Sequence, residues 1–166
     1  MTDQPSKKAQ PPRGLKRLLW RAPIWFYRLG LGGLLGGKFL LLNHTGRKSG
    51  QPRQAVLEID DYDPATNTYL VASGFGRKAD WYQNILATPE ISIQVGRKRM
   101  KAVAEPLSPE ASGEAMVQYA RKNPKAARNL TKLIGHELSG TEEEYRTIAK
   151  EHIPFVALHV SGERTA

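Results

Sequence analysis

Two short apolar runs on either side of a basic, glycine-containing turn constrain this chain more than any other feature. Leu40-Leu41-Leu42 precedes the turn and Ala55-Val56-Leu57-Glu58-Ile59 follows it. Between them lies His44-Thr45-Gly46-Arg47-Lys48-Ser49-Gly50-Gln51-Pro52-Arg53. Apolar runs this short, bounded by glycine and proline, read as strands. Phe39 to Thr45 is therefore one strand and Arg53 to Asp60 its hairpin partner. The two glycines let the backbone bend sharply and come close to a ligand.

The β pattern continues beyond the hairpin. Asp61 to Asn67 is a turn cluster and Thr68 to Ser73 the next strand. Asp80 to Ala87 is a short helix, with Asp80 as its N-cap and Pro89 beyond its end. Ile91 to Val95 alternates as a half-buried strand does, and Gly96-Arg97-Lys98 turns it into Arg99 to Glu105. Ser108 caps a helix that has Pro109 at its first position and runs to about Arg121. A second helix spans Pro124 to about Gly135. Thr141-Glu142-Glu143-Glu144 opens a third, which ends near Glu151. Ile153 to Val160 is a final strand, with Pro154 placing its start at an edge. Six strands without regular strand–helix alternation argue against a doubly wound sheet and for an antiparallel sheet closing into a small barrel.

A chain of 166 residues suffices for one domain with a core. It has no cysteine, which excludes disulfides, a catalytic thiol and iron–sulfur clusters. Its four histidines show no zinc-type spacing, so no metal is expected. The net charge is +9, and eleven of the basic residues fall between Gln4 and Leu57, where there is no Asp or Glu. Such one-sidedness points to an anionic partner. Residues 1–12 read as a disordered tail and 13–38 as a basic amphipathic helical extension, with Pro23 dividing Gly14 to Tyr27 into two short helices. Arg28 and Lys38 interrupt the apolar region that follows, so it is too short for a spanning helix. Trp20, Trp25 and Tyr27 beside Lys16, Arg17 and Arg21 suit either an anionic membrane surface or packing onto the barrel. No nucleic-acid motif is present, and residues 39–166 form the barrel domain.

Two constellations carry chemistry. In the turn, Arg47, Lys48, Ser49 and Arg53 combine cations and hydroxyls in a way that suits a phosphate group, although a solvated hairpin has the same composition. In Ala72-Ser73-Gly74-Phe75-Gly76-Arg77-Lys78-Ala79-Asp80-Trp81-Tyr82-Gln83-Asn84, small residues let a flat ring approach the backbone. Trp81 would either wall that ring or pack in the core with Ile85, and Asn84 would donate from the helix. No triad, carboxylate pair or metal cluster stands out, so in an enzyme the reactive atoms belong to a cofactor.

Taken in order, these pieces resemble the deazaflavin (F-420)-dependent nitroreductase family of the split β-barrel F-420-dependent oxidoreductases. The matching residues are Thr45 to Arg53, Val71-Ala72-Ser73-Gly74, Asp80 to Ile85, Ala87-Thr88-Pro89-Glu90-Ile91 and Ile153-Pro154-Phe155-Val156. The resemblance implies an α+β fold, a six-stranded antiparallel split β-barrel with flanking helices, of the FMN-binding split-barrel type. It implies coenzyme F-420, with FMN as the alternative flavin, and hydride transfer to a small-molecule acceptor such as a quinone or nitro compound. Arg47, Lys48, Ser49 and Arg53 then match the phosphate turn, and Val56 and Leu57 the strand along the deazaflavin. Gly74 matches the close-approach loop; Asp80, Trp81, Tyr82 and Asn84 match the segment closing over the cofactor. Lys78, Arg97 and Lys98 would extend the basic groove. Tyr82 is the candidate proton donor, with no other catalytic side chain assigned. The other reading is a non-catalytic flavin- or lipid-binding module on the same barrel. A homodimer and a cytoplasmic location, peripheral to the inner membrane face through the N-terminal segment, complete the expectations. Pro124 to His152 has one tyrosine, Tyr145, and departs from the tyrosine-rich segment of the quinone-reducing members, so acceptor contacts are not carried over.

Overall fold

The computed structural model describes residues 36–164. The expected tail, and all but the last three residues of the extension, with its two short helices, lie outside the described residues. Seven strands form a single antiparallel sheet. They are β1 (Phe39–Thr45), β2 (Pro52–Glu58), β3 (Asp61–Asp63), β4 (Thr68–Ala72), β5 (Glu90–Val95), β6 (Lys98–Pro106) and β7 (Phe155–Arg164). The helices are α1 (Asp80–Ala87), α2 (Pro109–Lys122), α3 (Pro124–Leu133) and α4 (Glu142–His152).

The sheet runs β2-β1-β5-β6-β7-β4-β3. Its two outermost strands, β2 and β3, are joined in the chain by only Ile59 and Asp60. So short a link forces the sheet to curl until its edges approach. Hydrogen bonds fix the crossing: Ile59 N–H donates to the Lys38 carbonyl at 2.8 Å and Asp60 N–H to that of Leu70 at 2.9 Å. Alternation then sorts the side chains. Leu40 and Leu42 of β1, Ile93 of β5 and Met100 of β6 fill the barrel. A second core, including Met116, Val117, Tyr145, Ile148 and Phe155, lies between α2, α3, α4 and the outer face of the sheet.

The structure corrects three local expectations. Asp61–Asp63 begins the expected turn cluster but pairs with β4 as an edge strand, with the rings of Tyr62 and Tyr69 4.4 Å apart, so the described residues hold seven strands. The last strand is central rather than at an edge, paired with β6 and β4. Phe155-Val156-Ala157-Leu158 is buried on both faces, which explains its unbroken apolar run. Pro154 stands just outside the ladder, and its carbonyl accepts from Ser73 N–H at 2.9 Å. Finally, Asp80 does not cap α1. Ala79 holds that position without a side-chain hydrogen bond, and Asp80 is the first helical residue. The caps of the later helices match the sequence signals. Ser108 accepts from Ala111 N–H, and Thr141 forms a capping box with Glu144.

Candidate functional site

The β1–β2 turn is closed by its own backbone. Gly46 N–H donates to the Gln51 carbonyl and Gly50 N–H to that of Gly46, each at 2.8 Å. Gly50 has φ +65°, which favours glycine. A Cβ on Gly46 would stand 2.8 Å from Ser49 Oγ, so a side chain there would make the serine hydroxyl turn away. The result is a compact loop with Lys48, Ser49 and Arg53 exposed. Arg53 Nη2 lies 3.5 Å from Ser49 Oγ, so a cation and a hydroxyl share one spot.

Arg47 behaves differently from its neighbours. Its backbone N–H donates to Asn84 Oδ1 at 3.0 Å, and its Nη1 donates to the same oxygen at 2.9 Å. The guanidinium also pairs with the Asp80 carboxylate at 3.2 Å. The structure brings Arg47 of the turn together with Asp80 and Asn84 of α1, and their contacts are with one another. Asn84 is 4% exposed and ties the turn to α1 rather than donating outward.

The fourth member of this group was missed. His44 shares the inward parity of Leu40 and Leu42 on β1 and is 7% exposed. Its Nδ1 lies 3.1 Å from Asn84 Nδ2. Burial first, then the Arg53 cation opposite it on β2, push the imidazole down to about 4, while Asp80 pulls the other way. His44 is thus neutral at pH 7. Strand alternation alone would have marked it as an inward-facing polar residue.

The remaining expected residues divide between the site and the core. β2 is an edge strand with β1 as its single ladder partner among the described residues. On it, Leu57 packs against the barrel core and Val56 has the opposite parity. Trp81 is half-buried against the barrel, edge-on to Tyr82 at 5.9 Å. Tyr82 itself is 5% exposed and belongs to the barrel core. Gly74 does permit a close approach, but the neighbour is Leu130 of α3, whose Cδ1 stands 3.0 Å from where a Cβ would be. Lys78 is exposed just before α1, on the side of the turn. Arg97 and Lys98 do not extend the basic groove. They follow Val95, which pairs with Leu40 at the start of β1, whereas the turn leaves its end at Thr45. About 20 Å of strand separates the two.

A second group sits at the far end of β2. Asp60 is 9% exposed, and its Oδ2 has no hydrogen-bond partner among the described residues. Burial, then Glu58, raises its carboxyl to about 8, against a backbone N–H from Ala72 that favours the charged form. Among the described residues no group of three or more His, Asp or Glu is arranged to hold a metal ion. Nor is any helix among them long and apolar enough to cross a membrane.

Comparison with known proteins supplies the context. The sequence model for F420H(2)-dependent quinone reductases matches residues 20–138. The chain is 30% identical over 122 residues to an F420H(2)-dependent quinone reductase of Mycobacterium tuberculosis, covering 72% of this chain and 71% of that one. A solved F420-H2 dependent reductase superposes with a TM-score of 0.50 at 23% identity, covering 74% of this chain and 94% of that one. A pyridoxamine 5'-phosphate oxidase-related, FMN-binding protein from Nostoc punctiforme superposes with a TM-score of 0.52 at 15% identity, covering 85% and 80%. The two structures share the curled antiparallel barrel with this chain.

Proposed function

The chain belongs to the F420H(2)-dependent quinone reductase family, and from that membership we propose a specific way in which its residues hold the coenzyme. It is an oxidoreductase that uses coenzyme F-420 and reduces quinones. When bound, the reduced coenzyme supplies the hydride. The chain supplies binding, orientation and shielding.

The observation that carries the proposal is the turn. Lys48, Ser49 and Arg53 are exposed on a loop locked by its own hydrogen bonds, and this donor set suits a phosphodiester and a tail of carboxylates. β2 leads away from it along the rim of the sheet, so Val56 and Leu57 would lie alongside the deazaflavin ring system. Trp81, half-buried on α1, forms a wall beside it. Gly74 keeps the neighbouring loop low under α3, and Asp80 and Asn84 hold Arg47 at the turn. No side chain of the chain is assigned the proton.

Titration of the protein into F-420, followed by the coenzyme's fluorescence, tests this reading. Saturable binding at micromolar concentration is expected. Replacing Lys48 and Arg53 together by Ala should weaken it by roughly 100-fold or more, since charge-assisted hydrogen bonds contribute about 1.5–3 kcal/mol each. Unchanged affinity in that double variant would remove the turn from the site. Two partner proposals accompany it. We propose a homodimer, to be tested by light scattering. We also propose docking of residues 13–38 on anionic lipid, to be tested by vesicle co-sedimentation with and without that segment.

A further inference from the structure

Asn84 has a carboxamide with two unlike ends, and its neighbours decide which end points where. At one end stand two donors of Arg47, the backbone N–H at 3.0 Å and Nη1 at 2.9 Å. That end is the oxygen. The other end is then the NH2 group, which faces His44 Nδ1 at 3.1 Å. Nδ1 must therefore be the bare, accepting nitrogen, with the ring proton on Nε2. Only one protonation state and one tautomer of His44 read the amide in this sense.

We propose that His44 and Asn84 are positioning residues for the anion-binding turn, His44 setting the amide of Asn84 and Asn84 holding Arg47 as a strut. This rests on the reading that the coenzyme's anionic end sits in the turn. It reassigns Arg47 from phosphate ligand to support. The strut fixes where the next residues, Lys48 and Ser49, leave the strand, so their donors meet the phosphate already ordered. Binding then loses less entropy than with a mobile loop.

The surroundings of His44 fit this role. Asn84 and Asp80 face it from α1 and Arg53 from β2. Burial and Arg53 keep the ring neutral, and the one carboxylate nearby, Asp80, is drawn off by Arg47. A protonated ring would set donor against donor. Flipping the amide in response would turn its NH2 toward the Arg47 N–H and guanidinium. Either way the chain of three contacts breaks.

Hydrogen exchange of the Arg47 amide in coenzyme-free protein and F-420 affinity by fluorescence test the proposal together. Asn84→Ala should lose Arg47 amide protection and weaken F-420 binding by about tenfold, the effect of one misplaced hydrogen-bonded anchor. His44→Leu should do the same. His44→Asn, whose Oδ1 takes the place of Nδ1 and can accept from Asn84, should restore most of both. Nitrogen-detected NMR of the native protein should show the proton on His44 Nε2, a measurement that needs no variant. A proton on Nδ1 would overturn the proposal. So would an Asn84→Ala protein that binds F-420 as the native one does, while Lys48→Ala weakens it; that result leaves the proposed site standing. If the native protein bound no F-420, the site reading would fail, and the exchange data would still decide whether the strut exists.

Discussion

The two ends of β2 each bury one titratable side chain, and they treat it in opposite ways. At the turn end, His44 is neutral and its Nδ1 is paired with Asn84, which in turn satisfies Arg47. At the other end, Asp60 keeps one oxygen with no partner among the described residues, beside Glu58, Asp61 and the α2 residues Tyr119 and Lys122. Burial, then the carboxylates of Glu58 and Asp60, hold the Tyr119 phenol above the ordinary range. A satisfied buried network is rigid and specifies one geometry; an orphaned buried group weakens its surroundings. The strand is thus pre-organised where the coenzyme's anionic end is proposed to sit and unsatisfied where the chain crosses from one sheet edge to the other.

The sharpest way to break this contrast is to remove one group from each end. Asn84→Leu leaves Arg47's N–H and His44 without partners in a buried setting, and should destabilise the fold by about 2–4 kcal/mol at pH 7. Asp60→Asn should instead stabilise the fold at pH 7, because the native carboxyl must take up a proton that the unfolded chain has released and the amide need not. Urea denaturation of both variants measures the difference. Equal losses would show that the two ends are energetically alike and the contrast is not real.

Acidity sharpens the same comparison. Asp60, raised from 3.8 to about 8, keeps a proton in the folded chain that the unfolded chain releases across that window. Its contribution to stability is full below 3.8, falls as pH rises, and levels off above about 8. His44, lowered from 6.5 to about 4, acts in reverse. Its contribution is full above 6.5 and is lost as pH falls toward about 4. The two slopes oppose each other from about 4 to 6.5, and only the Asp60 slope remains from 6.5 to about 8. Native protein should therefore show a nearly flat stability profile in the acid range and a decline above it. Asp60→Asn should expose the rising His44 slope, and His44→Gln a continuous Asp60 decline. A native profile that rises from pH 6.5 to 8 would contradict the assignment of Asp60.

Much of this molecule could be read from its sequence, for reasons visible residue by residue. β1 and α1 match their expected bounds because their signals are local: an apolar run ending in a glycine turn, and a helical period stopped by Pro89. Asp61–Asp63 has the composition of a turn because aspartates disfavour strands; its pairing comes from β4, a tertiary partner that outweighs propensity. Pro154 misplaced β7 because a proline just before a strand and one within it read alike in sequence. At the site, the residue types of the turn were legible. What was not legible was which of them face each other. Arg47 and Lys48 are adjacent and equally basic, yet only the fold sets Arg47 against Asp80 and Asn84, 33 and 37 residues away. The inward His44 and the orphaned Asp60 also depend on which strand neighbours bury them.

The smallest expected effect concerns the rim of the unsatisfied end. Lys122 Nζ sits 3.0 Å from both carboxylate oxygens of Asp61, spanning from α2 to β3 beside the cleft that Asp60 and Tyr119 line. The geometry looks like a clasp on that cleft, but both side chains are about half exposed, at 54% and 49%. Water screens such a pair, and holding the long lysine costs side-chain entropy. Lys122→Met, which keeps the apolar stem, should therefore change stability by less than about 1 kcal/mol, and less still in high salt. Thermal melts of the native and variant proteins at low and high salt measure it. A loss comparable to that of Asn84→Leu would mean that the ion pair closes the Asp60 end as firmly as Asn84 closes the turn. The difference between the two ends of β2 would then lie in which kind of contact holds each, not in whether it is held.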